Sequence, residues 1–396
     1  MPIRRGEEYL ESLRDGRRLW LLGQRVEDVT THAALAGCAR SVAAVYDLQH
    51  DPAHQRLLTM PSPTTGQPVS LAYLLPHSVD ELTRQRRMYE FLVRRAGGVA
   101  ARLPQHLATV VIGLYDVRDL LGEVDPAFAA HVTRYVEFCR ENDVSIATIF
   151  TDPLRHRSHP TTDQEHLRVV ERRPDGLIVR GARGVGTQAP YANELLCLTS
   201  PRPNLKPEEV VFFAAPVNAE GIHLVCRQPL TPPNPEDHPL SPLWDEMDAI
   251  VVFDDVFIPW ERVFYLRHSH PADPAFEAQV FQGAIGLGPW YVLVRMAVKA
   301  EVLLGLCAAI TDALGTASQP LVQMALADAM VYLETLRALI QAAEADPVPS
   351  PSGLALPNPQ RRWRPVSVPS SAIRMCCRAS GSCVARAFSW PRARPT

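Results

Sequence analysis

No apolar run reaches the roughly 18 residues that a membrane-spanning helix needs, and Met1 to Glu8 is charged from the start, without the apolar core of a secretory signal. These absences argue against a span and against export. There is no C-x-x-C pair and no H-E-x-x-H, so the common zinc and metalloprotease patterns are missing and no metal is expected. The G-x-S-x-G elbow of serine hydrolases is absent, as are the G-x-x-x-x-G-K-[ST] loop and any GxGxxG between strand and helix. A formal net charge of −3 over 396 residues lacks the basic excess of a dedicated nucleic-acid binder. No internal repeat at a fixed period is evident. What is present is ordinary in bulk. Charged residues at 21% and hydrophobic ones at 46% exclude wholesale disorder, and the length calls for two or three domains. Cys38, Cys139, Cys197, Cys226 and Cys307 lie far apart in mostly apolar surroundings and read as small core residues of a reduced, cytoplasmic protein.

The last stretch differs from the rest. Residues 359–396 hold eight Arg and no Lys, Asp or Glu, together with three of the eight cysteines. Without them, residues 1–358 carry 32 basic against 43 acidic side chains, a net charge of −11. One reading is a basic arm that binds nucleic acid. The other is a coding region read out of frame, which yields Arg, Pro, Ser, Ala and Cys without acids. The lack of helical periodicity favours the second. Residues 347–396 are therefore expected to be a disordered, out-of-frame tail, with no nucleic-acid partner.

Three parts precede it. Residues 1–144 read as a helical domain: Ser78 with Glu81 forms a capping box, Pro104 opens a run with Leu107, Val110, Val111 and Leu114 on one face, and Asp125-Pro126 starts another with Phe128, Val132, Tyr135, Val136 and Cys139. Residues 145–268 read as a β-barrel domain of short apolar runs between Pro- and Gly-rich loops. Within it, Arg173-Pro174-Asp175-Gly176 marks a hairpin turn. Residues 269–346 return to helix. Trp290 to Leu314 is long and apolar, and Ser318 caps a second helix with Val322, Leu326, Ala329, Leu333, Leu336 and Ile340 on one face. Two such helices imply a bundle, and this one is incomplete unless another subunit fills it.

Several clusters have chemical potential. Gly181-Ala-Arg-Gly184-Val-Gly186-Thr187 is glycine-rich, and its spacing fits a strand with a bulge better than a phosphate loop. Thr151 to His159 packs two Arg and two His after a strand; this is either an anion site for phosphate or pyrophosphate, or a solvated basic loop. Asp245-Glu246-Met247-Asp248 and Asp254-Asp255 concentrate acid, as a divalent-metal site or as solvated turns and strand ends. Arg102 and His106 stand four apart at a helix start, on one face, where they can bind and deprotonate an acidic hydroxyl.

Asp245-Glu246-Met247-Asp248, Phe253 to Phe264 with its Pro259-Trp260-Glu261-Arg262-Val263-Phe264, Gly181 to Glu194, and Thr335 to Ile340 carry a resemblance to the 4-hydroxyphenylacetate 3-monooxygenase family over about 1–358. That family is the oxygenase component of two-component flavin-dependent aromatic hydroxylases. The resemblance implies an α+β, acyl-CoA-dehydrogenase-like fold in the domain order above, and a homotetramer. It also implies FAD, used as FADH2 delivered by a separate NAD(P)H:flavin reductase. Oxygen would add to the flavin as a C4a-hydroperoxide that hydroxylates a phenolic or related aromatic substrate.

Carried over by position, Arg102 matches the family's active-site arginine, in a motif that here reads Arg102-Leu103-Pro104-Gln105-His106, so that His106 replaces a substrate-binding tyrosine. The family's catalytic histidine falls at Thr148. Arg157 matches a flavin-contacting arginine, Thr187 a threonine near the flavin ring, and Thr151 lies at the start of the same flavin-binding loop. Ser200 lies in the loop expected near substrate. Arg102, His106 and Thr148 are thus the expected catalytic residues; Thr148, Thr151, Arg157 and Thr187 the cofactor-binding ones; and Arg102, His106 and Ser200 those for substrate. An imidazole at 106 can replace the one lost at 148, because it titrates near neutrality. The changed pair also admits a carrier-bound or heteroaromatic substrate. The alternative is a catalytically impaired homologue that binds flavin or serves as a scaffold. A 4-hydroxybutyryl-CoA dehydratase would need iron–sulfur ligands, and the segment around Arg102 has no Cys.

Overall fold

The computed structural model describes residues 2–100, 102–152, 166–202, 204–230, 236–267 and 273–359. The chain divides into two compact units. The first holds residues 1–88, 100–288 and 349–356. It opens with α1 (Gly6–Ser12), β1 (Arg18–Leu21), β2 (Gln24–Val26), α2 (Ala36–Asp47), the single turn α3 (Gln55–Leu58) and the β3–β4 ladder (Thr59–Pro61 with Pro68–Ser70). Helix α4 (Val79–Arg95) begins in this unit and is followed by α5 (Pro104–Asp116), α6 (Arg118–Val124) and α7 (Pro126–Glu141).

These helices start where local chemistry allows it. At α4 the Ser78 hydroxyl accepts the Glu81 N–H at 3.2 Å, while the Glu81 carboxylate reaches back to the N–H of His77 at 2.6 Å, one residue earlier than in a standard capping box. Asp125 caps α7 by accepting the Ala127 N–H at 2.9 Å, with Pro126 in the first helical position. Pro104 opens α5 in the same way. Helix α5 is buried nearly all round, which the amphipathic pattern did not convey. Its polar residues Gln105, His106 and Thr109 are buried along with Leu107, Val111 and Leu114. It crosses α9 (Pro274–Ala284, in the same unit) at Gly113, where a Cβ would stand 2.1 Å from the Ala284 carbonyl oxygen.

Strands β5 (Ile146–Ile149), β6 (Arg168–Arg173), β7 (Gly176–Thr187), β8 (Glu194–Cys197), β9 (Val211–Pro216), β10 (Ile222–Cys226), β11 (Asp248–Pro259) and β12 (Val263–Leu266) follow, with the short α8 (Ser241–Trp244) before β11. The β6–β7 hairpin turns at Pro174-Asp175, with Arg173 opposite Gly176. The expected barrel is not formed. Among the described residues the strands make two open sheets, ordered β2-β1-β10-β11-β7-β6 and β12-β9-β8-β5. The expectation of helix alone in residues 1–144 also needs correction. β1 pairs in parallel with β10, Leu19 opposite Leu224, and so carries the β1–β2 hairpin into the larger sheet. Strands of three and four residues are too short for alternation to register, and the partner lies far along the chain.

The second unit holds residues 89–99, 289–348 and 357–359 of the described chain. It consists chiefly of α10 (Gly288–Ala313) and α11 (Pro320–Ala345). The Trp290 indole N–H donates to the buried Glu344 carboxylate at 2.9 Å, and Glu301 on α10 pairs with Arg94 at 2.9 Å and Arg337 at 3.3 Å. Helix α11 begins after Gln319, which makes no side-chain cap; Ser318 is not the cap, because Pro320 sets the first turn beyond its reach. Val322, Leu333, Leu336 and Ile340 are buried as the periodicity predicts, but Leu321, Met324, Met330 and Val331 of α11 and Leu306 of α10 are exposed. Within the stretch read as tail, β13 (Val348–Pro349) pairs with β14 (Ala355–Leu356). Residues 360–396 lie outside the described residues.

Candidate functional site

The first unit brings most of the expected residues onto a few strand ends. Thr187 ends β7 opposite Asp248 at the start of β11, and its hydroxyl donates to Asp248 Oδ1 at 2.6 Å. Two residues earlier, Glu246 Oε1 accepts the backbone N–H of Arg102 at 2.5 Å. The segment Asp245–Asp248 therefore holds both Thr187 and Arg102. It is itself anchored by Arg227, which donates to Asp248 Oδ2 at 3.0 Å and to the buried Asp245 at 2.5 Å, and by the Leu230 N–H on Asp245 at 2.7 Å. The acidic concentration is thus taken up by arginine, threonine and backbone donors. Asp255 likewise makes a two-point ion pair with Arg180. Among the described residues no group of three or more His, Cys, Asp or Glu is placed to hold a metal ion.

A second convergence lies at the end of β5. Thr148 is buried and paired in parallel with Leu196 of β8. Thr151 exchanges backbone hydrogen bonds with Gly184 of β7 at 3.0 and 2.8 Å, and its hydroxyl donates to the Gly184 carbonyl at 2.6 Å. The Phe150 carbonyl accepts the Ser200 N–H at 3.3 Å. Thr148, Thr151 and Ser200 are therefore brought together, and the Thr151–Gly184 bridge links them to the strand that ends in Thr187. His106 sits in the first turn of α5, buried, and α5 packs against β5. Arg157 and the rest of the basic stretch 153–165 lie outside the described residues.

The glycine-rich run is a strand, as its spacing predicts, with bulges in its β11 pairing. Its glycines differ in what they need. A Cβ on Gly181, which has φ +122°, would stand 2.2 Å from the His166 carbonyl oxygen. At Gly184 a Cβ would meet nothing nearer than Ile250 at 3.9 Å, and the adjacent Val185 is 55% exposed. Packing within this chain does not demand a glycine at 184. Gly184 therefore faces open space on this strand. Buried at the base of this region is Arg183, 1% exposed, whose guanidinium donates to the Leu198 carbonyl at 2.9 Å and the Thr199 hydroxyl at 3.3 Å. Burial pulls its pKa below the ordinary arginine value, against the raising influence of Cys197 and Asp152.

Sequence reasoning proposed Arg102 and Thr187 for the site but did not find what holds them. The signal was present in Asp245-Glu246-Met247-Asp248; its use as a set of acceptors depends on Arg227 and on backbone N–H groups that only the fold brings near. The buried Cys38, Cys139, Cys197 and Cys226 agree with their reading as core residues, whereas Cys307, read the same way, is only half-buried. No helix among the described residues is long and apolar enough to cross a membrane.

Comparison with known proteins gives this geometry a context. Sequence profiles of the 4-hydroxyphenylacetate 3-hydroxylase N-terminal and C-terminal regions match residues 5–265 and 281–362. The oxygenase component of a 4-nitrophenol 4-monooxygenase/4-nitrocatechol 2-monooxygenase from Rhodococcus opacus is 36% identical, over 90% of this chain and 69% of its own. An FADH(2)-dependent monooxygenase from Burkholderia cepacia is 31% identical, over 90% of this chain and 70% of its own. The solved oxygenase component of 4-hydroxyphenylacetate 3-monooxygenase, complexed with FAD, superposes with a TM-score of 0.83 at 32% identity, over 90% of this chain and 74% of that one. Apart from the unclosed barrel, the mixed fold implied by the resemblance is the one this chain adopts.

Proposed function

The chain belongs to the 4-hydroxyphenylacetate 3-hydroxylase family, and from that membership we propose that it is the oxygenase component of a two-component aromatic monooxygenase that hydroxylates a phenolic or related aromatic substrate with FADH2 and dioxygen. The observation that carries the reading to this chain's own residues is the shared hold of Asp245–Asp248 on Thr187 and Arg102. It ties the hydroxyl of a proposed cofactor-side residue and the backbone of a proposed substrate-side arginine to one short segment. Bound as FADH2, the flavin supplies the two electrons that activate dioxygen for transfer of one oxygen atom to the ring.

The protein's part is to bind, orient and move protons. Thr148, Thr151 and Thr187 line the ring site, with Arg157 assigned to the flavin from the family motif. Arg102 neutralises the substrate's developing phenolate, and His106 takes its proton in place of an imidazole at 148. Ser200 borders the substrate from the loop after β8. Burial of α5 keeps water from this pair. Partners are a separate NAD(P)H:flavin reductase and further copies of this chain in a homotetramer. A cytoplasmic location suits the free thiols. Neither the fold nor the comparisons favour the scaffold alternative.

The test supplies the full chain with reductase-delivered FADH2 and either 4-hydroxyphenylacetate or 4-nitrophenol, and measures hydroxylated product together with flavin reoxidation by stopped flow. Product from either phenol, with reoxidation kinetics distinct from free FADH2, is expected. Reoxidation identical to free flavin, with no product, overturns the reading. His106→Ala is expected to lower kcat/KM about 100-fold, the usual loss of a general base. An unchanged value removes His106 from that role.

A further inference from the structure

One buried ionic cluster near the site has no part in the chemistry described above. Arg202, two residues beyond Ser200, donates from Nε to Asp152 Oδ2 at 2.6 Å and from Nη2 to Glu209 Oε2 at 3.0 Å. Asp152 follows Thr151 directly, and its other oxygen lies 3.8 Å from the buried Arg183. Glu209 is 3% exposed; it also accepts the Lys206 N–H at 3.1 Å and faces His166 Nδ1 at 3.1 Å. Nδ1 of His166 is 3.0 Å from Arg202 Nη2 as well, so the tautomer selects which contact is a hydrogen bond. The Thr199 hydroxyl, between Arg183 and the Glu209 carbonyl, completes the set.

Two carboxylates and two guanidiniums are matched here, Arg183 and Glu209 buried and Arg202 and Asp152 half-buried. An apolar filling would serve stability as well or better, because desolvating such charges offsets most of their attraction. What the ions add is direction. Arg202 is a planar fork that meets two carboxylates from two different chain segments at defined angles. One is the exit of β5, which carries Thr148 and Thr151. The other is the start of β9, which closes the loop holding Ser200.

We propose that Arg202 is a positioning residue for the hydroxylation: through Asp152 and Glu209 it clamps the exit of β5 to the loop after β8, so that the cofactor-side threonines and the substrate-side loop keep a fixed separation. This rests on the site assignment above. A substrate held at a variable distance from the flavin wastes reducing equivalents as peroxide, so the clamp acts on the yield of product per FADH2 oxidised.

The experiment compares the full wild-type chain with Arg202→Met and Arg202→Lys. Hydrogen exchange of the flavin-free chain is followed over 146–152 and 194–202, with α2 as an internal reference, and product per FADH2 is measured with 4-nitrophenol. Arg202→Met is expected to speed exchange about tenfold in both segments together while leaving α2 unchanged, and to lower product per FADH2 by a similar factor. Arg202→Lys, a point charge without the fork, should fall between. If Arg202→Met does not fold, Arg202→Lys is read against wild type by the same criteria. Unchanged exchange over 146–152, or a change confined to 194–202, overturns the clamp. A wild-type chain that makes no product yet shows the paired exchange response sinks the functional reading and leaves the clamp standing. Product formation that survives Arg202→Met with unchanged yield and exchange does the reverse.

Discussion

At the scale of single residues, this protein places charge where solvent cannot reach it and then matches it. Glu194, at the start of β8, is buried against Arg262, whose Nη1 lies 2.8 Å from its carboxylate. Burial pushes the Glu194 pKa up from an ordinary 4.5 to about 7, with Arg262 opposing. As pH rises from about 4.5 to about 7, the unfolded chain releases this proton and the folded chain keeps it. The contribution of Glu194 to stability is therefore full below that window and is lost across it, by roughly 3 kcal/mol. Urea unfolding at pH values of about 5 and about 8 should show this loss in wild type and a flatter profile in Glu194→Gln. An identical pH dependence in the two proteins would show that the carboxyl is already ionised in the fold. Of the candidate site, Arg102, His106 and Thr187 were proposed because each belongs to a short motif. Their holders were not: Glu246, Asp248 and Arg227 meet Arg102 and Thr187 only after β7 and β11 pair.

At the scale of elements, the starts of α4, α5 and α7 were legible, the start of α11 was misread at Ser318, and strand partners were not legible. Ser78, Pro104 and Asp125 act within one turn of their own positions, so their meaning survives without the rest of the molecule. The Pro174-Asp175 hairpin is equally local. The β1–β10 pair and the failure of the two sheets to close are decided by distant residues. Close packing between elements is likewise invisible in sequence. Gly113 carries no mark of this in the sequence, yet it is where α5 and α9 touch backbone to backbone. Gly113→Ala is expected to destabilise the fold by about 1–3 kcal/mol, because its Cβ would overlap a main-chain oxygen that cannot move alone. Chemical denaturation reads this directly, and a neutral or stabilising result would mean that the two helices separate without strain. His106 lies on the same helix, so the variant should also weaken substrate turnover more than flavin binding.

For the whole molecule, the question is what covers α10 and α11. Leu306, Leu321, Met324, Met330 and Val331 stand exposed on two helices that a bundle would bury. The full chain is therefore expected to self-associate. Sedimentation velocity across a concentration series should show species heavier than the monomer, and Met330→Gln with Val331→Gln should shift them toward it. A monomer that persists at every concentration would contradict this. A discrete tetramer would show that other copies cover these helices; open-ended aggregation would show that no closed assembly of this chain does.

The sequence by itself determined the starts of α4, α5 and α7, the hairpin at residues 174–175 and the family motifs. Each of these depends on backbone preferences or side chains within a few residues of one another. Only the tertiary structure decided that the β strands form two open sheets, that Asp245–Asp248 holds Thr187 and the backbone of Arg102, and that Arg202 ties Asp152 to Glu209. Those outcomes depend on which distant groups share a desolvated space, and a hydrogen-bond partner there is chosen by proximity in the fold and not by position in the chain.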